Sequence, residues 1–133
     1  MSSRDIEGAN PLYLPQAKIY SRACALGPAV LVPDSFDQHF QIECRILDGD
    51  GQVLFAEETS TESMCRSIEE LIAYLRRDNP VPAGSVLLTG TGLVPPDDVT
   101  LTPGQTVEIR IPEIGLLRNP VAAANSQEAE RHD

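Results

Sequence analysis

The amino-acid sequence predicts a fold of the α+β class, mainly β, with one clear helix. Two stretches, 40–46 and 106–111, alternate apolar and polar residues with the period of a half-buried strand. A third stretch, at about 63–77, repeats its apolar residues with helical spacing. Strand-like and helix-like stretches that are kept apart along the chain are typical of this class.

Residues 1–36 show no regular period. Four Xaa-Pro pairs interrupt them: Asn10-Pro11, Leu14-Pro15, Gly27-Pro28 and Val32-Pro33. The apolar run 29–32 is long enough for only a brief strand. We therefore expect loops that lie against the rest of the protein, which is a common location for site residues.

A β-hairpin is predicted from residue 40 onward. Phe40, Ile42, Cys44 and Ile46 alternate with polar residues. The sequence Asp-Gly-Asp-Gly at 48–51 is typical of a tight turn, and 52–56 supplies a second strand.

The helix follows the hairpin. Its apolar stripe consists of Met64, Ile68, Leu71, Ile72 and Leu75. Thr61 and Ser63 are candidate caps, and Ser67 with Glu70 has the spacing of a capping box. Arg76 and Arg77 suit the negative end of the helix dipole, and Pro80 ends the helix.

Three further short strands are candidates after the helix: 86–88, 99–101 and 106–111. Pro103-Gly104 turns the chain before the last of them. Residues 1–121 are expected to form one domain. The polar tail 122–133 has little to bury, so we expect it to be disordered or loosely helical.

Composition limits the classes of function. The formal charge of −10, from 20 acidic and 10 basic residues, argues against nucleic acid as the main partner, because phosphate binding needs clustered Lys and Arg. No run approaches the roughly 20 apolar residues of a membrane span. Residues 1–8 lack the apolar core of a signal peptide. A cytoplasmic protein is the expectation.

The cysteines, Cys24, Cys44 and Cys65, are widely spaced and odd in number. They indicate neither a zinc site nor a disulfide framework. Cys44 lies on the apolar side of its strand, which indicates a small core residue. A catalytic thiol would need a nearby base, and the chain has only two histidines, His39 and His132.

The loop Thr89-Gly90-Thr91-Gly92 follows an apolar run. Its hydroxyls and backbone amides could hold a carboxylate or a phosphate. The alternative is a turn at the end of a strand, in which glycine supplies a positive φ. It is not a P-loop, because no Gly-Lys-Ser/Thr follows it.

Two cations are further candidates for a site. Lys18, the single lysine, could stabilise an enolate, bind a carboxylate or act as a base. Arg4 could hold a carboxylate through two hydrogen bonds. The alternative for each is a solvated surface side chain. Glu57 and Glu58 are adjacent on a strand and so point to opposite faces, which disfavours a joint metal site.

Six strings in order along the chain resemble the fumarylacetoacetate hydrolase family, in its C-terminal part. They are residues 2–8 (SSRDIEG), 10–18 (NPLYLPQAK), 25–28 (ALGP), 58–60 (ETS) with Met64 and Arg66, 87–92 (LLTGTG) and 114–119 (IGLLRN). The form PLYLPQAK is most similar to members that act on 2-keto-3-deoxy sugar acids, such as 2-keto-3-deoxy-D-arabinonate dehydratases.

The resemblance implies a mixed β-sheet roll, usually dimeric, that binds a small 2-keto acid and uses Mg²⁺, or sometimes Mn²⁺ or Ca²⁺. It implies hydrolase or lyase chemistry, in which the metal stabilises an enolate. By similarity Lys18 is the active-site lysine, Arg4 contacts substrate, and Thr91, with Thr89 and Gly90, binds a substrate oxygen. Glu7 occupies the position of a substrate-binding glutamine in the hydrolases.

The resemblance also implies a missing metal site. The family's ligands are a Glu-x-Glu pair in an upstream segment and an aspartate immediately before the position of Met1. We therefore expect no metal ligand in this chain. Two interpretations stay open: a metal-dependent lyase or hydrolase that lacks its first part, and a non-catalytic relic or a binding or oligomerisation module.

Overall fold

The computed structural model describes residues 4–123, and they form one four-stranded sheet with two short α-helices. The strands are β1 (Gln41–Leu47), β2 (Val53–Ser60), β3 (Thr106–Ile111) and β4 (Gly115–Pro120), in the spatial order β2-β1-β3-β4. The three pairings are all antiparallel. The helices are α1 (Arg4–Ala9) and α2 (Ile68–Arg76). The predicted class, α+β and mainly β, is confirmed.

Short 3₁₀ helices complete the regular structure. Two of them, Pro11–Tyr13 and Gln16–Lys18, follow α1, and the third, Thr61–Ser63, follows β2. No helix among residues 4–123 is long and apolar enough to cross a lipid bilayer.

The predicted hairpin is β1 and β2. Its turn depends on Asp48, whose Oδ1 accepts hydrogen bonds from the backbone N–H groups of Asp50, at 2.9 Å, and Gln52, at 2.8 Å. Gly51 has a φ of 83°, a conformation that costs glycine little. The register shifts between Ile46 and Leu47, as in a β-bulge. The turn residues thus satisfy the backbone locally, which is why this hairpin is evident from the sequence.

The sheet has one apolar face and one charged face, because side chains alternate along each strand. Cys44, Ile46 and Phe55 form the buried core cluster on the apolar face. Partly buried residues pack against them: Leu93, Val99, Leu101, Val107 and Ile109. Loop residues therefore cover part of this face.

Two cross-strand ion pairs lie on the charged face. Arg110 Nη1 is 2.7 Å from Glu43 Oε1, and Arg118 Nε is 3.4 Å from Glu108 Oε1. Glu43 and Arg110 are directly opposite each other in the register of β1 and β3, as are Glu108 and Arg118 in that of β3 and β4. The Glu43–Arg110 pair is exposed, and an exposed pair of this kind contributes about 0.2–1 kcal/mol. Glu108 is buried beside the exposed Arg118. Both pairs favour this register.

Helix α2 is shorter than the predicted span of about 63–77. Ser60 caps the 3₁₀ helix Thr61–Ser63, and Met64 then has extended backbone angles, with φ −67° and ψ 127°. The chain therefore leaves the helical conformation before Ser67, which caps α2 by accepting a hydrogen bond from Glu70 N–H at 3.1 Å. The predicted capping box is confirmed on its Ser67 side.

Three predicted short strands were wrong, and one strand was missed. Residues 29–32, 86–88 and 99–101 have no strand conformation, because the part of the chain that the structure describes gives them no partner strand. β4 was missed because Gly115, Asn119 and Pro120 are all rare in strands. Pairing with β3 overrides their preference. Of the predicted tail 122–133, residues 124–133 lie outside the described residues.

Candidate functional site

The N-terminal candidates lie in a compact arrangement of helical turns. Asn10 Oδ1 accepts a hydrogen bond from Leu12 N–H at 2.9 Å, and Pro11 occupies the first turn of the next 3₁₀ helix. Arg4 and Glu7 both lie within α1.

Lys18 is the last residue of the 3₁₀ helix Gln16–Lys18. The residue before it, Ala17, is only 1% exposed, whereas Lys18 is exposed. Lys18 N–H donates to Pro15 C=O at 3.2 Å. Burial of Ala17 therefore fixes the backbone beside Lys18. The side chain of Lys18, the single lysine of the chain, lies at the protein surface.

The loop 89–92 has the geometry of a turn. Gly90 has a φ of 96°. Thr91 Oγ1 accepts a hydrogen bond from Leu93 N–H at 3.0 Å and donates one to Leu93 C=O at 3.2 Å. Thr89, Gly90 and Thr91 are exposed. The loop is thus a hydroxyl-stabilised turn whose surface can be reached from solvent, and both interpretations made from the sequence are compatible with it.

Gly92 holds this loop against the sheet. A Cβ atom built at Gly92 would lie 3.0 Å from Thr59 Oγ1, so the lack of a side chain at Gly92 lets the loop lie close to the end of β2 without displacing Thr59. Two residues on, Thr61 Oγ1 accepts a hydrogen bond from Phe40 N–H at 2.9 Å and secures the same end of the hairpin. The positioning role of Thr59 was missed, since nothing in the local sequence around Thr59 points to residue 92.

The acidic residues that the structure describes do not gather into a metal site. Among the residues that the structure describes, no group of three or more His, Cys, Asp or Glu side chains is placed to hold a metal ion. Glu57 lies opposite Cys44, and Glu58 opposite Glu43, in the register of the hairpin. The two glutamates therefore face opposite sides of the sheet. The described residues alone do not fit a Mg²⁺ ion, which needs several oxygen ligands.

Cys44 is a core residue. Burial raises the pKa of its thiol above the ordinary value of 9.0, and the negative charge of Glu57 raises it further. A thiol in this state is a poor nucleophile at neutral pH. Cys24 and Cys65 are free and exposed.

The sequence of this chain matches the model of a known protein family. The family model described as fumarylacetoacetate (FAA) hydrolase C-terminal matches residues 1–122. The chain belongs to the fumarylacetoacetate hydrolase family. The predicted resemblance is confirmed.

Two relatives within the family are dehydratases of sugar acids. The chain is 46% identical over 122 residues to a probable 2-keto-3-deoxyxylonate dehydratase of Haloferax volcanii, covering 91% of this chain and 42% of the relative. It is 44% identical over 122 residues to the 2-dehydro-3-deoxy-D-arabinonate dehydratase of Saccharolobus solfataricus, covering 91% and 41%. A rat mitochondrial oxaloacetate tautomerase, Fahd2a, is 31% identical over 127 residues, covering 91% of this chain and 39% of the relative.

A solved structure has a backbone fold similar to that of this chain. The 2-keto-3-deoxy-D-arabinonate dehydratase complexed with magnesium and 2,5-dioxopentanoate is similar to this chain with a TM-score of 0.85 and 46% identity. The match covers 90% of this chain and 43% of that one. This member of the fumarylacetoacetate hydrolase family thus spans less than half the length of the relatives it matches.

Proposed function

We propose that this chain is the substrate-binding part of a metal-dependent lyase that dehydrates a 2-keto-3-deoxy sugar acid. The observation that carries the proposal is the 44–46% identity, over 91% of the chain, to two dehydratases of such acids. Hydrolysis of a C–C bond in a diketo acid is the related alternative within the family.

The charge of the chain makes Lys18 the central residue of this proposal. A 2-keto acid is an anion, and the chain carries a formal charge of −10, so binding needs a local cation. Lys18 is exposed at the end of a 3₁₀ helix that Ala17 fixes in place. Its ammonium group would pair with the developing enolate oxygen, or its amino group would exchange a proton with the substrate carbon.

The loop 89–91 and helix α1 would hold the substrate. Thr89 and Thr91 would offer hydroxyl groups, and the exposed loop around Gly90 would offer backbone amides to a carboxylate. Arg4 would contact the substrate carboxylate. Glu7 would accept hydrogen bonds from the hydroxyl groups of the sugar chain. These six residues, with Lys18 in the catalytic role, form the proposed site.

Magnesium belongs to the proposal, with ligands from outside the described residues. A relative's structure is complexed with magnesium, whereas residues 4–123 offer no cluster of three ligands. When bound in such an enzyme, the metal stabilises negative charge on the keto oxygen. For the isolated chain we expect weak Mg²⁺ binding, no turnover and self-association. We expect the protein to be located in the cytoplasm.

A non-catalytic role is the second candidate. The absence of a three-ligand cluster among the described residues favours a binding or oligomerisation module, or a relic, over a complete enzyme.

A chimera separates the two candidates. Residues 1–122 of this chain would replace the matched segment of the Saccharolobus solfataricus dehydratase, and NMR would follow the consumption of 2-keto-3-deoxy-D-arabinonate in the presence of Mg²⁺. We expect turnover by the chimera, and a loss of 100-fold or more in kcat with Lys18→Met, an order of magnitude that is typical of acid–base catalysis.

The matched control for Lys18→Met is Arg76→Met, which removes a cation from the last turn of α2 and should leave kcat unchanged. A folded chimera without turnover would refute the enzymatic proposal in favour of the module. Full activity of the Lys18→Met chimera would refute the catalytic role of Lys18.

A further inference from the structure

Leu93 is the first residue after the proposed substrate loop to enter the core. The loop residues 89–92 are exposed, whereas Leu93 is half-buried. Its side chain packs against the buried cluster of the apolar face, which consists of Cys44, Ile46 and Phe55. Burial of an apolar side chain is favourable because it removes apolar surface from water. Leu93 therefore ties the end of an exposed loop to the core of the sheet.

The backbone of Leu93 holds the hydroxyl group of Thr91 through two hydrogen bonds. Leu93 N–H donates to Thr91 Oγ1 at 3.0 Å, and Thr91 Oγ1 donates to Leu93 C=O at 3.2 Å. The two bonds use the hydrogen and one of the two lone pairs of the hydroxyl group. Rotation of the Thr91 side chain would break both of them. The orientation of the hydroxyl group therefore depends on the position of the Leu93 backbone.

The contact at Gly92 does not supply this attachment by itself. The place where a Cβ at Gly92 would stand is 3.0 Å from Thr59 Oγ1 and 3.7 Å from Thr59 Cβ, so the contact limits how closely the loop can approach β2. Gly92 has no side chain to bury, whereas the next residue, Leu93, buries an apolar one. The two neighbours therefore have different roles. Gly92 permits the close approach, and Leu93 provides the attraction that keeps the loop in place.

We propose that Leu93 is a positioning residue of the substrate site and that it acts through Thr91. Its side chain anchors in the core the same residue whose backbone groups orient the Thr91 hydroxyl group. The inference rests on the proposed function, in which Thr91 binds the substrate, and it adds a residue that needs no contact with the substrate. A side chain that is already held in its binding orientation loses less conformational entropy when the substrate binds, so the substrate binds more tightly.

Leu101 provides a matched control for Leu93. Both are half-buried leucines outside the helices and strands, and both pack against the same core cluster. Among the described residues, the hydroxyl group of Thr91 has its hydrogen bonds with Leu93 and none with Leu101. Truncation of either leucine to alanine removes a similar amount of packing from the core. Only the truncation at Leu93 should also release Thr91.

Steady-state kinetics of the chimera in the presence of Mg²⁺ separates packing from positioning. Leu93→Ala should raise KM for 2-keto-3-deoxy-D-arabinonate by about tenfold, the size expected for one weakened hydrogen bond, and change kcat by less than about twofold. Leu101→Ala should leave both constants within about twofold of their natural values. Leu93→Met keeps a long apolar side chain and should restore the natural KM. In a Thr91→Val background, Leu93→Ala should raise KM no further, because the hydroxyl group through which Leu93 acts is gone.

NMR of the full chain tests the same link without substrate, metal or turnover. The three-bond couplings from Thr91 Cγ2 to its backbone nitrogen and carbonyl carbon report the χ1 rotamer. We expect one rotamer in the natural chain, in Leu93→Met and in Leu101→Ala, and averaging over several rotamers in Leu93→Ala. Leu93→Val, a smaller truncation, should give partial averaging, and the amide shifts of β1 and β3 show that each variant is folded.

Three results would overturn the inference. Thr91 keeps a single rotamer in Leu93→Ala, Leu101→Ala raises KM as much as Leu93→Ala does, or Leu93→Ala raises KM equally with and without the Thr91 hydroxyl group. A chimera without turnover would count against the proposed function. The couplings of Thr91 in the full chain would then decide by themselves whether Leu93 orients it.

Discussion

Gly92 lies against Thr59, although 33 positions separate the two residues. The Thr59 hydroxyl oxygen is 3.0 Å from the place where a Cβ at Gly92 would stand, and the Thr59 methyl group is 3.8 Å from it. This contact brings the exposed loop 89–91 to the end of β2. The position of the loop therefore depends on this tertiary contact as well as on the turn within the loop.

The substitution Gly92→Ala should destabilise the protein by about 1 kcal/mol, since the new methyl group forces Thr59 or the loop to move. Urea denaturation followed by circular dichroism measures the effect. Thr59→Ala removes the oxygen that clashes, so the cost of Gly92→Ala should be smaller in that background. Equal costs in both backgrounds would show that the contact is not responsible. Gly49→Ala, at a site where the nearest atom is 3.8 Å away, is the control.

The side chain of Ser67 should stabilise α2. Because its Oγ accepts a hydrogen bond from Glu70 N–H, Ser67→Ala should lower the free energy of unfolding by about 1 kcal/mol. The matched variant Ser63→Ala lies in the preceding 3₁₀ helix and should change it by less than about 0.5 kcal/mol. Thermal denaturation measures both. A larger effect at Ser63 would mean that the helix starts there after all.

Asp48 should be the essential acid of the hairpin turn. Its carboxylate accepts two backbone hydrogen bonds, so Asp48→Ala should cost about 1–3 kcal/mol. Asp50 contributes only its backbone N–H to this pair of bonds, and Asp50→Ala should be nearly neutral. Similar losses for the two variants, measured by urea denaturation, would contradict the assigned geometry.

The buried thiol of Cys44 should make stability depend on alkaline pH. Its pKa is raised in the folded protein, so the folded state holds the proton more tightly than the unfolded chain does. The contribution to stability is complete below pH 9.0, the ordinary thiol pKa, and is lost as the pH rises through the higher pKa of the folded state.

The free energy of unfolding should therefore fall more steeply above pH 9 in the natural chain than in Cys44→Ala, which lacks the titrating group. Denaturation curves at several pH values above and below 9 measure the two slopes. The same burial should protect Cys44 from a thiol reagent at neutral pH, while the exposed Cys24 and Cys65 react. Identical slopes, or rapid reaction of three thiols in the folded protein, would contradict the buried position.

The site was only partly predictable. Lys18 and the loop 89–92 were predicted as site candidates from residue type and from the strings of the family, and the structure places both at the surface. The contact of the loop with Thr59 was not predictable, because it joins segments that are distant in sequence. The roles of Arg4, Glu7, Lys18, Thr89, Gly90 and Thr91 stay predictions that the chimera can test.

The sequence by itself determined the elements that are stabilised by interactions between residues close together in the chain. The period of two in β1 and β3, the Asp48 turn and the Ser67 cap each satisfy their backbone within a few residues, so they can be read from short stretches of the chain. Only the tertiary structure decided that Gly115–Pro120 is a strand and that 86–88 is not. The physical reason is that a strand exists by hydrogen bonds to a partner, and the partner is chosen by the fold rather than by the segment itself.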